Sequence, residues 1–527
     1  MTQRQQPSHD GSVAQHMHNG QDSCGERPSN DQPAAWKAYW RSLGYPWRTE
    51  PEIDRARQEL LEARRALPPD PQKSIYPFKG IKLGRADVEW LLATHENGEG
   101  PIDWRDQAQQ RRQGLDLRGA VLSGDSSRGI NLRGLPLSRL QGGLSREQWS
   151  GWVKTNKELL DQAAVDLEEA DLFGTHLEGA CLTAAHLNQA DLRLAGLEGA
   201  NLTGAQLEGA NLTGAQLEGA NLTGAQLERA YLTGAELAKA NLHGARLACA
   251  TLFGTQLKDA YLVGAQLEEA NLTGAQLGGT NLRRAMLGRA ILSGTLEGSD
   301  FAEAVLVDEN GIGPRLAAVQ WGKIDLSTVD WSQVKQLDDE HVAYEEKEEH
   351  GEQKDALTRL NMFKQAVRAY RQLALALKEQ GLYEEAAYFS YRAHVLQCEV
   401  LRRQIGLKRD AKKRGDQSGS SWFWQLSKYL SSLFLHLATG YGYKPWRSVI
   451  TYLLIIIVFA LAYAVFDHVA LLPNALVLSL AGFHGRGFFA AGAVVGASEI
   501  LLVLEAVVGL LIEICYIVVF TRRFLEQ

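Results

Sequence analysis

A chain of 527 residues with 62 acidic and 55 basic side chains carries a formal net charge of −7, too mild a balance to argue for nucleic acid as a partner. Its length exceeds what one hydrophobic core organises, so several structural units are expected. Five cysteines (Cys24, Cys181, Cys249, Cys398 and Cys515) lie without C-x-x-C spacing, which argues against a disulfide framework or a zinc site and fits a reducing compartment.

Residues 1–35 are rich in Gln, Ser, Asn, Pro and His and lack aromatics. That composition predicts a disordered, solvated tail in which His9, His16 and His18 hold no metal. No basic region leads into an apolar stretch, so no signal peptide is expected. Residues 36–110 open on a dense group of aromatics between Trp36 and Trp47 and predict a small helical segment anchored by tryptophan. Residues 111–144 hold GLDLRGAVL (114–122) and INLRGLPL (130–137), read as a short imperfect coil in phase with the repeat that follows. A helical insert at 145–164 is expected to split that coil from the rest.

From Leu167 to Leu292 a leucine falls at every fifth position, 26 in succession, and two residues before each stands Ala 22 times, Thr three times and Val once. The core of the pattern reads ANLTGAQLEGANLTGAQLEGANLTGAQLE, residues 200–228. A period of five is neither helical nor that of an ordinary strand. A fixed short repeat predicts a solenoid whose units bury their faces only by stacking. One residue is lost after Leu292, and the next inward positions are Leu296, Phe301 and Leu306, so the element is bounded at 165–306.

This pattern resembles the pentapeptide-repeat family, A-(D/N)-L-x-x. The resemblance implies a right-handed, four-sided β-helix with the leucine and the small residue pointing inward. Four five-residue sides per turn would stack leucine on leucine, and a larger residue in the alanine column would overpack the interior at a cost of ~1–3 kcal/mol. The outward positions are Asn, Thr, Gln, Glu and Gly, with no nucleophile–base grouping, so the β-helix is expected to be a scaffold and not an enzyme. Some soluble members of the family bind DNA gyrase through an acidic surface shaped like duplex DNA. Here Glu168, Glu169, Asp171, Glu178, Asp191, Glu198, Glu208 and Glu218 oppose Arg193 in the first half, whereas Lys239, Arg246, Lys258, Arg283, Arg284 and Arg289 turn the second half basic. Opposite charge at the two ends argues against mimicry of a uniform polyanion.

Residues 307–355 read as an acidic linker ending in the solvated run EEKEEHGE (345–352). Residues 356–407 resemble a tetratricopeptide-like helical hairpin turning at Gly381, a unit that needs a neighbour to bury its face. A basic flexible linker is expected at 408–421, and WFWQLSKYLSSLFLHLA (422–438) reads as an interfacial amphipathic helix.

The stretch 448–466 is long enough, and free enough of charge, to cross a bilayer. A second candidate, 498–520, is interrupted by Glu505 and Glu513. Between them, 470–489 reads as a re-entrant half-helix and a Gly-rich loop. This order resembles the two-transmembrane pore module of the potassium-channel superfamily. Tetratricopeptide-like helices, a Trp-rich N-terminal segment and GYGYKPWRS (440–448) resemble bacterial proteins that join pentapeptide repeats to such a module. The filter departs from T-V-G-Y-G. Phe483, His484, Gly485, Arg486 and Gly487 stand in its place, and a ring of Arg486 side chains would repel cations. Glu505, Gly509 and Glu513 fall at i, i+4 and i+8, one stripe that lines a pore or forms a helix seam.

Lys444 and Arg447 before the first span, with Arg522 and Arg523 after the second, place both termini in the cytoplasm. The expectation is therefore a multi-pass protein of the cell (inner) membrane, with the lipid bilayer as partner and a homo-oligomer, tetrameric by resemblance. It forms either an ion channel of altered selectivity or a membrane-anchored scaffold whose pore-like region only multimerises. A protein partner on the β-helix is open; no nucleic acid, cofactor or metal is expected.

Overall fold

The computed structural model describes residues 27–29, 32–70, 73–122, 130–145, 162–347, 353–413, 421–466, 472–484 and 497–525. Most of the tail expected at 1–35, including the three histidines, lies outside these residues, as do 146–161 of the insert and Gly485, Arg486 and Gly487. The chain divides into two compact units, Met1–Tyr261 and Leu262–Gln527.

The first unit begins with α1 (Pro33–Ser42), α2 (Arg55–Arg65) and α3 (Arg85–Ala93). Asp54 caps α2 by accepting the Arg57 N–H at 2.7 Å, the ordinary way to satisfy a helix N-terminus. Trp36 and Trp40 stack at 5.6 Å, and the Arg48 guanidinium lies 3.5 Å above the Trp40 ring. Glu89 is fully buried, and its carboxylate accepts from the Thr49 and Glu50 N–H groups and from Arg85. Just before α3 the chain pairs with the first coil. Gly80 N–H donates to Gly119 C=O at 2.8 Å, and Leu83 N–H to Val121 C=O at 3.0 Å. The helical segment therefore closes an edge of the β-helix that would otherwise stay open to pairing.

Each five-residue side is a strand bridge followed by a turn. Ala205 N–H closes the turn onto Leu202 C=O at 3.0 Å, and the residue between, Gly204, has φ +65°. A turn with positive φ at its third position selects glycine, and this explains the chain's abundance of that residue. The Asn201 side chain accepts from the Thr203 N–H at 3.2 Å and from the Thr203 hydroxyl at 2.6 Å, so Asn or Asp before the leucine fixes the turn locally. Between coils, Leu202 N–H reaches Asn221 C=O at 2.7 Å and Asn221 N–H returns to Ala200 C=O at 2.8 Å. These bonds set 20 residues per coil, in parallel register Asn201↔Asn221. All 26 ladder leucines are at most 2 % exposed, each contributing ~1.5–3 kcal/mol of burial.

The coil at 111–144 is not split from the ladder. Asp116 pairs with Gln141, Val121 with Asp166, Asn131 with Asp171 and Gln141 with Cys181. Val165 N–H donates to Gly142 C=O at 2.8 Å, so the ladder resumes directly on the opening coil. Interruption in sequence is no interruption in the stack.

In the second unit the same pattern runs to Leu292, and the expected slip is present. Asn281 pairs with Asp300 and Met286 with Val305, while Leu296, Phe301 and Leu306 stay buried. Strands β1 (Asn271–Leu272), β2 (Ile291–Thr295) and β4 (Arg315–Gln320) form a parallel sheet, and β3 (Ile312–Gly313) pairs with β5 (Gln336–Leu337). The segment 307–355 is therefore not a linker. It holds β3, β4, β5 and α4 (Asp338–Tyr344). Its acidity is internal: Asp338 bonds Arg289 at 3.2 Å and Arg315 at 2.5 Å, and Glu340 accepts from the Tyr370 hydroxyl at 2.7 Å and Arg392 at 2.5 Å. Asp339 accepts the Leu316 N–H at 2.7 Å, and burial pushes its carboxyl up to about 6.

Helices α5 (Ala356–Glu379) and α6 (Tyr383–Lys413) form the expected hairpin, turning at Gly381 with φ +80°. The hairpin buries Tyr370 and Phe389, stacked at 6.0 Å, against Trp331. Because α6 continues to Lys413, residues 408–413 of the expected flexible linker are helical. Then come α7 (Ser421–Thr439), α8 (Pro445–Phe466), α9 (Leu472–Phe483) and α10 (Ala497–Leu525).

Candidate functional site

The second unit concentrates the sequence-predicted site residues where α8, α9 and α10 pack together. Glu505 on α10 is fully buried. Its carboxylate accepts from the Tyr463 hydroxyl of α8 at 2.8 Å and from the Ser479 hydroxyl of α9. Ser479 Oγ also lies 2.9 Å from the Ile456 carbonyl, so its single proton serves one acceptor at a time. A carboxylate buried among apolar helices is held only where donors meet it. Gly482 leaves room for this group, since a Cβ there would come within 2.6 Å of Glu505 Oε2.

One turn further on, a Cβ at Gly509 would collide with the Phe483 carbonyl oxygen. Glycine is needed there for close approach, not as a bend. Phe483 is buried, packs with Ile456 and Ile512, and meets Tyr452 edge-on at 4.9 Å. His484 Nδ1 lies 3.4 Å from a Glu513 carboxylate oxygen, both side chains half-exposed. Ser448, Val449, Tyr452, His484, Ile512, Glu513 and Ile517 line a cavity of about 430 Å³.

The stripe Glu505, Gly509, Glu513 thus faces the α8–α9 seam of its own chain. Phe483 and His484 join it, whereas Gly485, Arg486 and Gly487 lie outside the described residues. Tyr463 and Ser479 were not read from the sequence as site residues. The available signal was weak: isolated hydroxyls in apolar runs, and a buried carboxylate that required donors.

On the β-helix the basic second half is not a free positive field. Lys239 pairs with Glu218 at 3.2 Å, Arg246 with Glu228 at 2.6 Å, Arg284 with Glu303 at 2.6 Å and Arg289 with Glu269 at 3.2 Å. Among the described residues no group of three or more His, Cys, Asp or Glu side chains could hold a metal ion.

The family model described as Pentapeptide repeats matches eight copies between residues 164 and 294. A pentapeptide repeat protein from the Arabidopsis thaliana thylakoid lumen is 32 % identical, with 18 % of this chain and 72 % of that chain covered and a TM-score of 0.16. The chain belongs to the pentapeptide-repeat proteins. HetL of the cyanobacterium Nostoc sp. strain PCC 7120, a pentapeptide repeat protein involved in heterocyst differentiation regulation, is 27 % identical over 45 % of this chain and 96 % of its own, at TM-score 0.27. QnrB1, a plasmid-mediated fluoroquinolone resistance protein, is 18 % identical in its trypsin-treated form over 31 % and 83 %, at TM-score 0.24. No curated protein matches this pentapeptide-repeat chain. The solenoid's identity rests on the period-five ladder and the family match.

Proposed function

We propose that this pentapeptide-repeat protein is a multi-pass protein of a bacterial inner membrane that carries its β-helix as a cytoplasmic scaffold. Helices α8, α9 and α10 form the anchor as span, half-helix and span. The observation that carries this reading is the outer face of α8, where Ile450, Leu453, Leu454, Ile457, Val458, Leu461 and Val465 are each more than half exposed. Among the described residues, Trp446–Val465 is the one helix long and apolar enough to cross a bilayer. A water-facing helix does not present such a face, and a membrane span does. Val507, Leu510, Leu511 and Ile517 continue it on α10, and the Glu505 seam supplies the internal partners that a carboxylate in lipid requires.

Both termini are then cytoplasmic, with the connection around α9 outside. An Asn474→Cys chain is expected to react with a membrane-impermeant thiol reagent on intact cells. Labelling confined to inverted vesicles would reverse the topology.

A second reading, an ion pathway of non-potassium selectivity, is favoured by the half-exposed His484–Glu513 pair beside its cavity. Glu505, with both oxygens engaged inside one chain, favours the anchor. Purified full-length oligomer in a planar bilayer separates the two. The anchor stays silent, while a pathway conducts and its reversal potential moves toward cations in Arg486→Gln.

A further inference from the structure

The joint between α7 and α8 is built from three successive residues in left-handed backbone, Gly440 (φ +57°), Tyr441 (φ +56°) and Gly442 (φ +87°). Such a run is costly for a non-glycine residue and persists only where its surroundings hold it. Here the Tyr441 hydroxyl meets Ser432 Oγ at 2.7 Å, and its ring stacks on His394 at 5.0 Å.

The turn brings two cationic side chains together. A Cβ on Gly440 would stand 2.9 Å from Lys444 Cβ and 3.6 Å from Arg447 Cδ. The Lys444 ammonium sits 4.5 Å from the centre of the Tyr391 ring, and the Arg447 guanidinium donates to the His436 carbonyl at 3.2 Å. Both side chains are half-buried. Among the described residues neither forms an ion pair, in contrast to Lys239, Arg246, Arg284 and Arg289 of the β-helix, each matched by a carboxylate.

His436 lies against them, with Nδ1 buried and without a hydrogen-bond partner among the described residues. Burial first, then the charges of Arg447 and Lys444, hold its imidazole below the usual range. α10 packs against the same turn. Positive charge braced by rings and a carbonyl, with no counter-charge among the described residues, offers a site to an anion from outside. The N-terminus of α8, from Pro445, adds its dipole in the same sense.

We propose that Lys444 and Arg447 bind the phosphate group of an anionic headgroup where α8 begins. The lipid source of that phosphate rests on the reading that α8 crosses the membrane. A soluble phosphate-bearing anion is the other source of the same chemistry.

The full-length chain is reconstituted into vesicles of phosphatidylcholine alone or with phosphatidylglycerol, floated, then extracted in mild detergent for native mass spectrometry of retained lipid. Wild type is expected to retain phosphatidylglycerol over phosphatidylcholine. Lys444→Gln and Arg447→Gln should each reduce that preference by about fivefold, the worth of one surface cation on an anionic membrane. Lys258→Gln, an exposed cation on the β-helix, should leave it unchanged, and Arg447→Lys should keep most of it. Melting followed by circular dichroism verifies that each variant is folded. If excess inorganic phosphate displaces the lipid in parallel, the site stands and its ligand is a soluble anion.

The proposal is overturned if the double variant retains phosphatidylglycerol as wild type does. It also falls if Arg447→Lys loses binding as completely as Arg447→Gln, or if wild type shows no preference and no phosphate binding. A chain that fails to float with either vesicle removes the membrane reading instead, a separate outcome.

Discussion

The β-helix and the α8–α10 module satisfy their polar groups over different distances along the chain. In a coil, the Asn201 side chain bonds Thr203 two residues on, and the turn closes three residues on, from Ala205 to Leu202. The inter-coil ladder reaches further, at 20 residues through the regular coils. In the helical module, Glu505 depends on Tyr463, 42 positions away, and Ser479, 26 away. A fold satisfied by repeated short contacts tolerates variation on its surface and little in its buried column. A fold satisfied by a few long contacts depends on those individual donors.

The largest effect tests the first half of that contrast. Leu217 is fully buried in the ladder, and Leu217→Asp strands a carboxylate where no donor faces inward. We expect a loss of more than about 4 kcal/mol and disappearance of the cooperative melt followed by circular dichroism. A variant that melts like wild type would refute the stacked-leucine interior.

Asp339 offers an intermediate effect through its raised pKa. The folded state holds the proton more tightly than the unfolded chain, so this stabilisation is full below the unfolded value near 3.8 and is lost as pH rises through about 6. The gap in stability between wild type and Asp339→Asn should therefore change by up to roughly 2–3 kcal/mol between pH 4 and pH 7, wild type gaining at the acid end. A constant gap across that range would remove the buried-carboxyl account.

In the helical module, Tyr463→Phe deletes one of the two hydroxyl donors to Glu505 while keeping the ring. A loss of about 1–3 kcal/mol is expected in detergent-based unfolding, and Glu505→Gln should make the Tyr463 change less damaging. Equal and additive effects of the two substitutions would show that the pair is not coupled.

The smallest effect lies at a turn. Asp259 has φ +57° at a position that glycine fills in most coils, and no atom meets the corresponding Cβ position at Gly219, Gly224 or Gly234. Asp259→Gly should stabilise by less than about 1 kcal/mol, because the relief of left-handed backbone is offset by greater freedom in the unfolded chain. A measurable loss would mean that the Asp259 side chain contributes more than its backbone costs.

The period of five, the inward leucines, the slip after Leu292 and the helical hairpin at Gly381 were legible because each is written in residues a few positions apart. Glu505, Gly509 and Glu513 could be placed on one stripe by helical spacing alone. Which way that stripe faces could not, because the answer lies in Tyr463, Ser479 and the Phe483 carbonyl.

The sequence by itself determined the β-helix. A five-residue unit that closes its own turn and buries its own leucine repeats without reference to distant residues, so its geometry follows from its period. Only the tertiary structure decided what 307–355 would be. Its carboxylates read as solvated acid because charge carries no address in sequence. They are buried because Arg289, Arg315 and Arg392 arrive from 49, 23 and 52 positions away. A buried carboxylate without those partners would be too costly to desolvate, and with them it closes the end of the repeat.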